Sequence, residues 1–164
     1  MIELSAHLKC DSEIQGRKIR DDLEFATAIM IYAIRKNPGG FSFSGLRIPP
    51  IVETWQAGNQ VPDSESFATD VATFHEHLYE RIVALAHNQE MTRQIWELNE
   101  RTRTFREGEL RRPDAARDIL DKTANLLNAL FNRNEELCSA ILAECAEQRY
   151  SLIMETLSPD IVRL

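Results

Sequence analysis

Apolar residues recur every three or four positions along most of the chain, which is the period of an amphipathic α-helix. The clearest such stripe is formed by Phe67, Val71, Phe74, Leu78, Ile82 and Leu85. Residues spaced in this way lie on one face of a helix, and that face is normally buried. The pattern therefore predicts a long helix from about Glu65 to Ala86.

An earlier stripe predicts a first long helix from Ser12 or Glu13 to Lys36, with Ser12 as its N-cap. The stripe contains Ile19, Leu23, Ala26, Met30, Ala33 and Ile34. Phe25 and further apolar residues widen the apolar face, so we expect this helix to be central. The turn sequence NPGG at residues 37–40 ends it.

Residues 41–62 are the least regular part of the sequence and hold one short predicted helix, at about Ile51–Gln60, which follows two prolines. The next predicted helix runs from about Gln89 to Arg106. Its apolar stripe is Met91, Ile95, Leu98 and Phe105. We expect Gly108 to end it.

Two further helices complete the pattern. Asp114 is the predicted cap of the fifth, whose stripe is Ile119, Leu126, Leu127 and Leu130. The sixth follows a tight connection at residues 132–134 and ends before Pro159, with Leu137, Ile141, Cys145 and Leu152 inward. Short connections make sequential helices antiparallel neighbours. The sequence predicts an all-α, antiparallel bundle of six to seven helices, forming one domain over residues 1–164 with its core at about 13–157.

The chain carries a formal net charge of −7, and an acidic surface repels phosphate backbones. The main basic group is Arg101, Arg103, Arg106, Arg111 and Arg112, with glutamates interspersed. We interpret this group as a solvated helix end. We therefore expect no direct nucleic-acid binding by this chain alone.

The three cysteines, Cys10, Cys138 and Cys145, are odd in number and lack metal-type spacing, which indicates free thiols in a reducing compartment. The N-terminus lacks the basic and apolar regions of a signal peptide. No apolar run has the length of a membrane span. These observations predict a cytoplasmic protein with no membrane partner.

The sequence contains no glycine-rich phosphate loop, nucleophile elbow or paired metal motif, and we expect no enzymatic activity. Its densest set of potential ligands is Asp70, His75, Glu76 and His77. Residues two or five apart do not share a helix face, so we favour one histidine at the edge of the core and one exposed. For Arg20, a surface pair with Glu24 and a ligand contact stay open.

Four segments, in order, are similar to motifs of FCD domains, the C-terminal effector-binding domains of FadR-type regulators in the GntR superfamily. Ile19–Glu24 (IRDDLE) resembles the opening R-x-x-L-E, and Phe74–Leu78 (FHEHL) resembles F-H-x-x-L. Ala86–Met91 (AHNQEM) resembles the junction x-x-N-x-x-L. Leu126–Leu130 (LLNAL), followed by Asn134, resembles I-L-x-A-I with its later G-D. The resemblance spans about residues 13–157.

The resemblance implies a bundle of six or seven helices around a central pocket, in which many members hold a metal with one Asp and up to three His. Here the family's Asp falls on Val71, and two of its histidines fall near Thr123 and Cys145; His75 alone is retained. Structural and catalytic zinc sites use three or four protein ligands. We therefore expect no metal and no other cofactor, while the pocket persists.

The resemblance thus predicts a ligand-sensing, dimer-forming regulatory domain that binds a small anionic effector at Arg20, His75, Thr123 and Cys145. The sequence contains no winged helix of the kind that usually precedes this domain, so the chain is either an effector domain from a longer regulator or a stand-alone relative. Two other functions stay open. One is a metal- or thiol-dependent enzyme on a helical bundle, and the other is a protein-interaction bundle with no small ligand.

Overall fold

The computed structural model describes the backbone of residues 2–157, and side chains from Asp11 to Glu155 with Ser12 excepted. Its helices are α1 (Ile2–Lys36), α2 (Pro50–Glu53), α3 (Glu65–Ala84), α4 (Gln89–Leu110), α5 (Pro113–Phe131) and α6 (Glu135–Leu157). No strand occurs within residues 2–157. The predicted all-α bundle is confirmed.

The apolar stripe of α3 lies at the centre of the bundle. Val71, Leu78 and Ile82 are fully buried there, and α3 packs on both α1 and α4. The four-residue connection between α3 and α4 makes them antiparallel neighbours, and α6 packs against α1 and α5. Elements far apart in sequence therefore converge around α3, which gives the middle of this helix neighbours from several sides.

Several predicted helix ends are wrong. α1 begins at Ile2, so Ser12 lies inside a helix and does not cap one. α2 stops at Glu53, well before Gln60. α4 continues through Gly108 to Leu110 and stops before Pro113, because proline disfavours helical backbone in the residue preceding it. The residue that caps α5 is Arg112, and Asp114 lies in its first turn.

Some predicted side-chain positions are also wrong. Phe25 is half exposed, because the buried face of α1 is narrower than the run of apolar residues suggests. Leu137 is similarly exposed, and Cys138 and Leu142 take its place on the inner face of α6. The arginine group is not uniformly solvated, since Arg106 is 1% exposed. No described helix is both long enough and apolar enough to cross a membrane.

Candidate ligand site between α3, α5 and α6

His75, on the buried face of α3, meets Thr123 of α5 across the bundle. The His75 Nε2 atom lies 2.8 Å from Thr123 Oγ1, and that hydroxyl lies 2.7 Å from the carbonyl oxygen of Ile119. A hydroxyl has one proton to donate, and the carbonyl can only accept. Thr123 therefore donates to Ile119 and accepts from His75, which places the imidazole proton on Nε2.

The other imidazole nitrogen is left as a lone pair inside the protein. His75 Nδ1 is buried without a hydrogen-bond partner among the described residues. Burial, together with the positive charges of Arg149 and Arg106, holds the pKa of His75 well below its ordinary value. The ring is therefore neutral at physiological pH, and it lies parallel to the ring of Tyr79 with centroids 5.8 Å apart.

A buried arginine from α6 completes this group. Arg149 is 8% exposed, and its Nη1 donates to the hydroxyl of Tyr79 at 3.2 Å. Its Nε lies 3.3 Å from Oε2 of Glu109, which is on the last turn of α4. Burial opposes the charge of Arg149, but Tyr79 and Glu109 raise the pKa of the guanidinium above its ordinary value. The site therefore contains a permanent buried cation.

Two small cavities, each of about 20 Å³, adjoin Arg149. The first, which we call the His75 cavity, lies between α3, α5 and α6. Its polar lining includes His75, Lys122, Thr123, Cys145, Gln148 and Arg149. The second lies towards α1 and α4 and reaches Asp22 and Arg106. A volume of this size holds about one water-sized group.

Next to the His75 cavity, Lys122 and Gln148 connect α5 to α6. The ammonium of Lys122 donates to the side-chain oxygen of Gln148, and it lies 3.6 Å from a carboxylate oxygen of the exposed Glu144. Gln148 in turn donates to Asp118 at 2.9 Å. These side chains are only partly buried or exposed, so they link the cavity lining to the surface.

A second buried ion cluster lies between α3 and α4. Arg106 donates to Glu76 at 2.6 Å and also reaches the carbonyl oxygens of Ala72 and Asn99. Arg103 contacts the same carboxylate from the surface side. Burial raises the pKa of Glu76, but the hydrogen bonds from Arg103 and Arg106 outweigh it and leave the pKa below its ordinary value. This ion cluster links α3 to α4 at Glu76, the residue that follows His75.

The structure brings three of the four sequence-predicted residues together and separates the fourth. His75, Thr123 and Cys145 line the His75 cavity. Arg20 was expected to face the bundle centre, but its side chain is exposed and its guanidinium lies 4.7 Å over the ring of Tyr150. This contact holds it in an open groove of about 460 Å³ between α1 and α6, on a different face from the cavity.

The residues of the His75 cavity do not fit the metal site that the resemblance implies. Val71 is fully buried in the apolar core and offers no ligand atom. The oxygen of Thr123 already accepts from His75, and burial raises the pKa of the Cys145 thiol, which opposes the thiolate that metals bind. No group of three or more His, Cys, Asp or Glu converges among the described residues.

Sequence reasoning missed the charged residues of the site, although one signal for them was present. Arg149 follows Cys145 by four positions and therefore lies on the same helix face, within an apolar stripe. Arg106 interrupts the apolar stripe of α4 in the same way. A long cation embedded in an apolar face indicates a buried partner, but its identity depends on another helix. Glu109 and Glu76 are 40 and 30 positions away from these arginines.

Comparison with known proteins gives one match. A family model described as the FCD domain matches residues 51–148, which is more than half of the chain. The match includes His75, Thr123 and Cys145, and three of the four motif segments; the segment Ile19–Glu24 lies outside it. A search of curated proteins and a search of solved structures each found no match.

Proposed function

Because this chain belongs to the FCD domain family, the effector-binding domain of GntR-family transcription regulators, we propose that it binds a small anionic metabolite in the His75 cavity. The family consists of regulators, which are typically not enzymes. The choice of site and of an anionic ligand is based on the charged and polar side chains that line the cavity. Arg149 takes the role that the sequence had suggested for Arg20.

The charge of the lining is the observation that carries the proposal. Arg149 and Lys122 are both cationic, and none of the described residues that line the His75 cavity has a carboxylate. His75 is neutral, and the hydroxyl of Thr123 already donates to Ile119 and accepts from His75, so Arg149 and Lys122 are the donors left for a ligand. A guanidinium can bind a carboxylate through two parallel hydrogen bonds, and in a buried site such a bond is not weakened by solvent. The lining therefore favours an anion over a neutral or cationic ligand.

The size of the cavity determines how a ligand enters. At about 20 Å³ it is far smaller than the 300–1,000 Å³ of ordinary ligand pockets. A metabolite therefore requires α5 and α6 to move apart, and this movement separates Lys122 from Gln148. The released ammonium then becomes available to the anion. Leu78 and Leu126, which also line the cavity, can contact an apolar part of the ligand.

The test is a thermal-shift screen with acetate, propionate, succinate, citrate, inorganic phosphate and sulfate. A ligand present at a hundredfold excess over its Kd stabilises by about 2.7 kcal/mol, which corresponds to a rise in Tm of about 5–10 °C for a chain of this size. We expect Arg149→Lys to reduce this rise, because lysine keeps the charge but loses the bidentate geometry.

Arg20→Ala is the matched control, since it removes an arginine that lies on a different face. It should leave the ligand-induced rise in Tm unchanged. If Arg20→Ala abolishes the rise and Arg149→Lys does not, the ligand binds in the groove between α1 and α6 and the proposed site is wrong. Lys122→Met is a milder second variant, because its side chain is near the surface and its loss leaves the core packing intact.

The small cavity favours one alternative, a protein-interaction bundle without a small ligand. In that case no compound of the screen raises the Tm, and Arg149 is a structural residue paired with Glu109 and Tyr79. The two functions differ in a second measurement, native mass spectrometry of freshly purified protein. A co-purifying small anion that is lost from Arg149→Lys supports the sensor, and its absence together with a negative screen supports the interaction bundle.

A further inference from the structure

Glu109 is a buried carboxylate that is only half satisfied. It is 4% exposed, and its Oε2 atom receives a single contact of 3.3 Å from Arg149 Nε. Its Oε1 atom has no hydrogen-bond partner among the described residues. The pair is therefore not the bidentate arrangement that makes arginine–carboxylate contacts strong. Glu109 therefore balances the charge of Arg149 but contacts only one nitrogen of its guanidinium.

The other charged and titratable groups around Glu109 have partners of their own. Arg106, on the same helix, is engaged by Glu76. Arg112, just after α4, lies 3.4 Å from the exposed Glu155 of α6. Two further groups lie near the Arg149–Glu109 ion pair. They are the Tyr79 hydroxyl of α3 and the Cys145 thiol of α6, and both are close enough to interact electrostatically with it. The charge of Glu109 is thus balanced mainly by Arg149.

We propose that Glu109 is an internal competitor for Arg149, and that an entering carboxylate displaces it and thereby forces it to take up one proton from solvent. This inference rests on the proposed function of the His75 cavity. Arg149 and ionised Glu109 together are neutral, so a second carboxylate beside Arg149 would put two anions on one buried guanidinium. The ammonium of Lys122 can balance the ligand from the α5 side, but it is not among the cations that act on Glu109, which would be left as a buried negative charge without its ion-pair partner. Such a charge is costly unless one group neutralises, and of two carboxylates that share a site one has a strongly raised pKa.

The environment of Glu109 already favours its neutral form. Burial raises the pKa of Glu109, and Arg149, followed by Arg106 and Arg112, lowers it only in part. When a ligand takes over the guanidinium, that opposing contribution weakens and the pKa rises further. Protonated Glu109 can also donate a hydrogen bond, which the ionised form cannot.

The consequence is a preference in both pH and ligand charge. The liganded protein holds one proton more than the free protein, so binding strengthens as pH falls, by up to about tenfold per pH unit. The dependence disappears below the pKa of Glu109 in the free protein, where the residue is already protonated. A ligand with one carboxylate brings one negative charge to Arg149, which equals the charge that Glu109 loses on protonation. The site should therefore favour monocarboxylates over dianions such as hydrogen phosphate.

The experiment is isothermal titration calorimetry with propionate at pH 7.5, in HEPES and in Tris, which differ in ionisation enthalpy. The difference in heat between the buffers gives the number of protons taken up, and we expect a value near one for the wild-type protein and near zero for Glu109→Gln. Because glutamine keeps the shape but cannot compete as an anion, we expect Glu109→Gln to bind propionate at least about tenfold more tightly. Tyr79→Phe is the matched control, since it removes the other hydrogen bond of Arg149 and leaves the charges unchanged.

Each outcome is informative. Propionate binding with proton uptake that is lost in Glu109→Gln supports the inference, as does binding by Glu109→Gln alone. Propionate binding without proton uptake, or with equal affinity in both proteins, overturns the inference and leaves the proposed function standing. Binding of propionate by neither protein overturns the inference, and the anion screen then decides the proposed function separately. If Glu109→Gln does not fold, the proton uptake of the wild-type protein and its dependence on pH decide the matter alone.

Discussion

Arg106 is the residue whose replacement should most clearly reveal what joins α3 to α4. Its guanidinium donates to Thr102, Ala72, Glu76 and Asn99 at distances of 2.6–3.2 Å. We consider Arg106→Met, which keeps much of the length and removes the charge. The carbonyl oxygens of Ala72 and Asn99 lie inside helices and keep their backbone hydrogen bonds, so losing a second donor costs them little.

The main cost of Arg106→Met falls on Glu76. Breaking one side of a buried ion pair typically costs 3–5 kcal/mol. Glu76 keeps its contact with Arg103, which is half exposed, and methionine adds some apolar packing. We therefore expect Arg106→Met to lower the free energy of unfolding by about 3 kcal/mol, the lower end of this range. The total free energy of unfolding of a domain is about 5–15 kcal/mol. The corresponding fall in Tm is about 6–12 °C.

Urea denaturation followed by circular dichroism measures this loss, with Arg103→Gln as the control. Arg103 touches the same carboxylate but is half exposed, and exposed pairs contribute about 0–1 kcal/mol. A change in midpoint at constant slope will identify a loss of stability rather than a change in the denatured state. The reasoning is refuted if Arg106→Met costs less than about 1 kcal/mol, or if both variants cost the same.

Further predictions concern acid stability, the His75 contact, metal content and assembly. The pKa of Glu76 is below its ordinary value of about 4.5, so its contribution to stability is complete above that pH and is lost as pH falls through the folded-state pKa. The urea midpoints of the wild-type protein and Glu76→Gln should therefore converge as pH falls below about 4.5 and through the folded-state pKa, and a gap that stays constant from neutral to acidic pH would contradict this. Thr123→Val should cost about 1–3 kcal/mol, because it leaves the buried His75 Nε2–H without an acceptor; a neutral effect in urea denaturation would show that water replaces the hydroxyl. Elemental analysis after purification without chelators should find no stoichiometric zinc, nickel or manganese, and about one metal per chain would overturn that expectation. Sedimentation at micromolar concentration should show a dimer, since regulators that read two half-sites are two-fold symmetric; a monomer would favour a stand-alone relative.

Periodicity predicted the helices well because burial on one face leaves a repeating trace in the sequence. It predicted the buried stripe of α3, including Val71, Phe74 and Leu78. It could not predict where α1 begins, because helix termini are determined by backbone hydrogen bonds and by neighbouring elements more than by one capping residue. Gly108 shows the same limit, since a glycine costs a helix only about 1 kcal/mol and surrounding packing outweighs it.

The sequence led to three of the residues that line the candidate site, whose role as a ligand site stays a prediction. His75, Thr123 and Cys145 were placed by resemblance to family positions, and the structure brings them to one cavity. A buried guanidinium is stable only when an anion or an internal carboxylate is paired with it. Arg149 meets this requirement with Glu109, whereas Arg20, which the sequence analysis assigned to the ligand site, is exposed. Spacing along one helix cannot identify a partner that comes from a different helix, so the correct pair was accessible only in three dimensions.

The unbroken length of α1 has a mechanical consequence. Its 35 residues extend over about 50 Å, whereas the 23 residues of α6 beside it extend over about 35 Å. A continuous helix behaves as a stiff rod over such distances, so a small tilt where α6 presses on it becomes a larger displacement at its far end. A tilt of about 10° about a point 30 Å away moves that end by roughly 5 Å, given the rise per residue. Separation of α5 from α6 around a ligand, if it tilts α1, would thus become a larger displacement at the far end of α1.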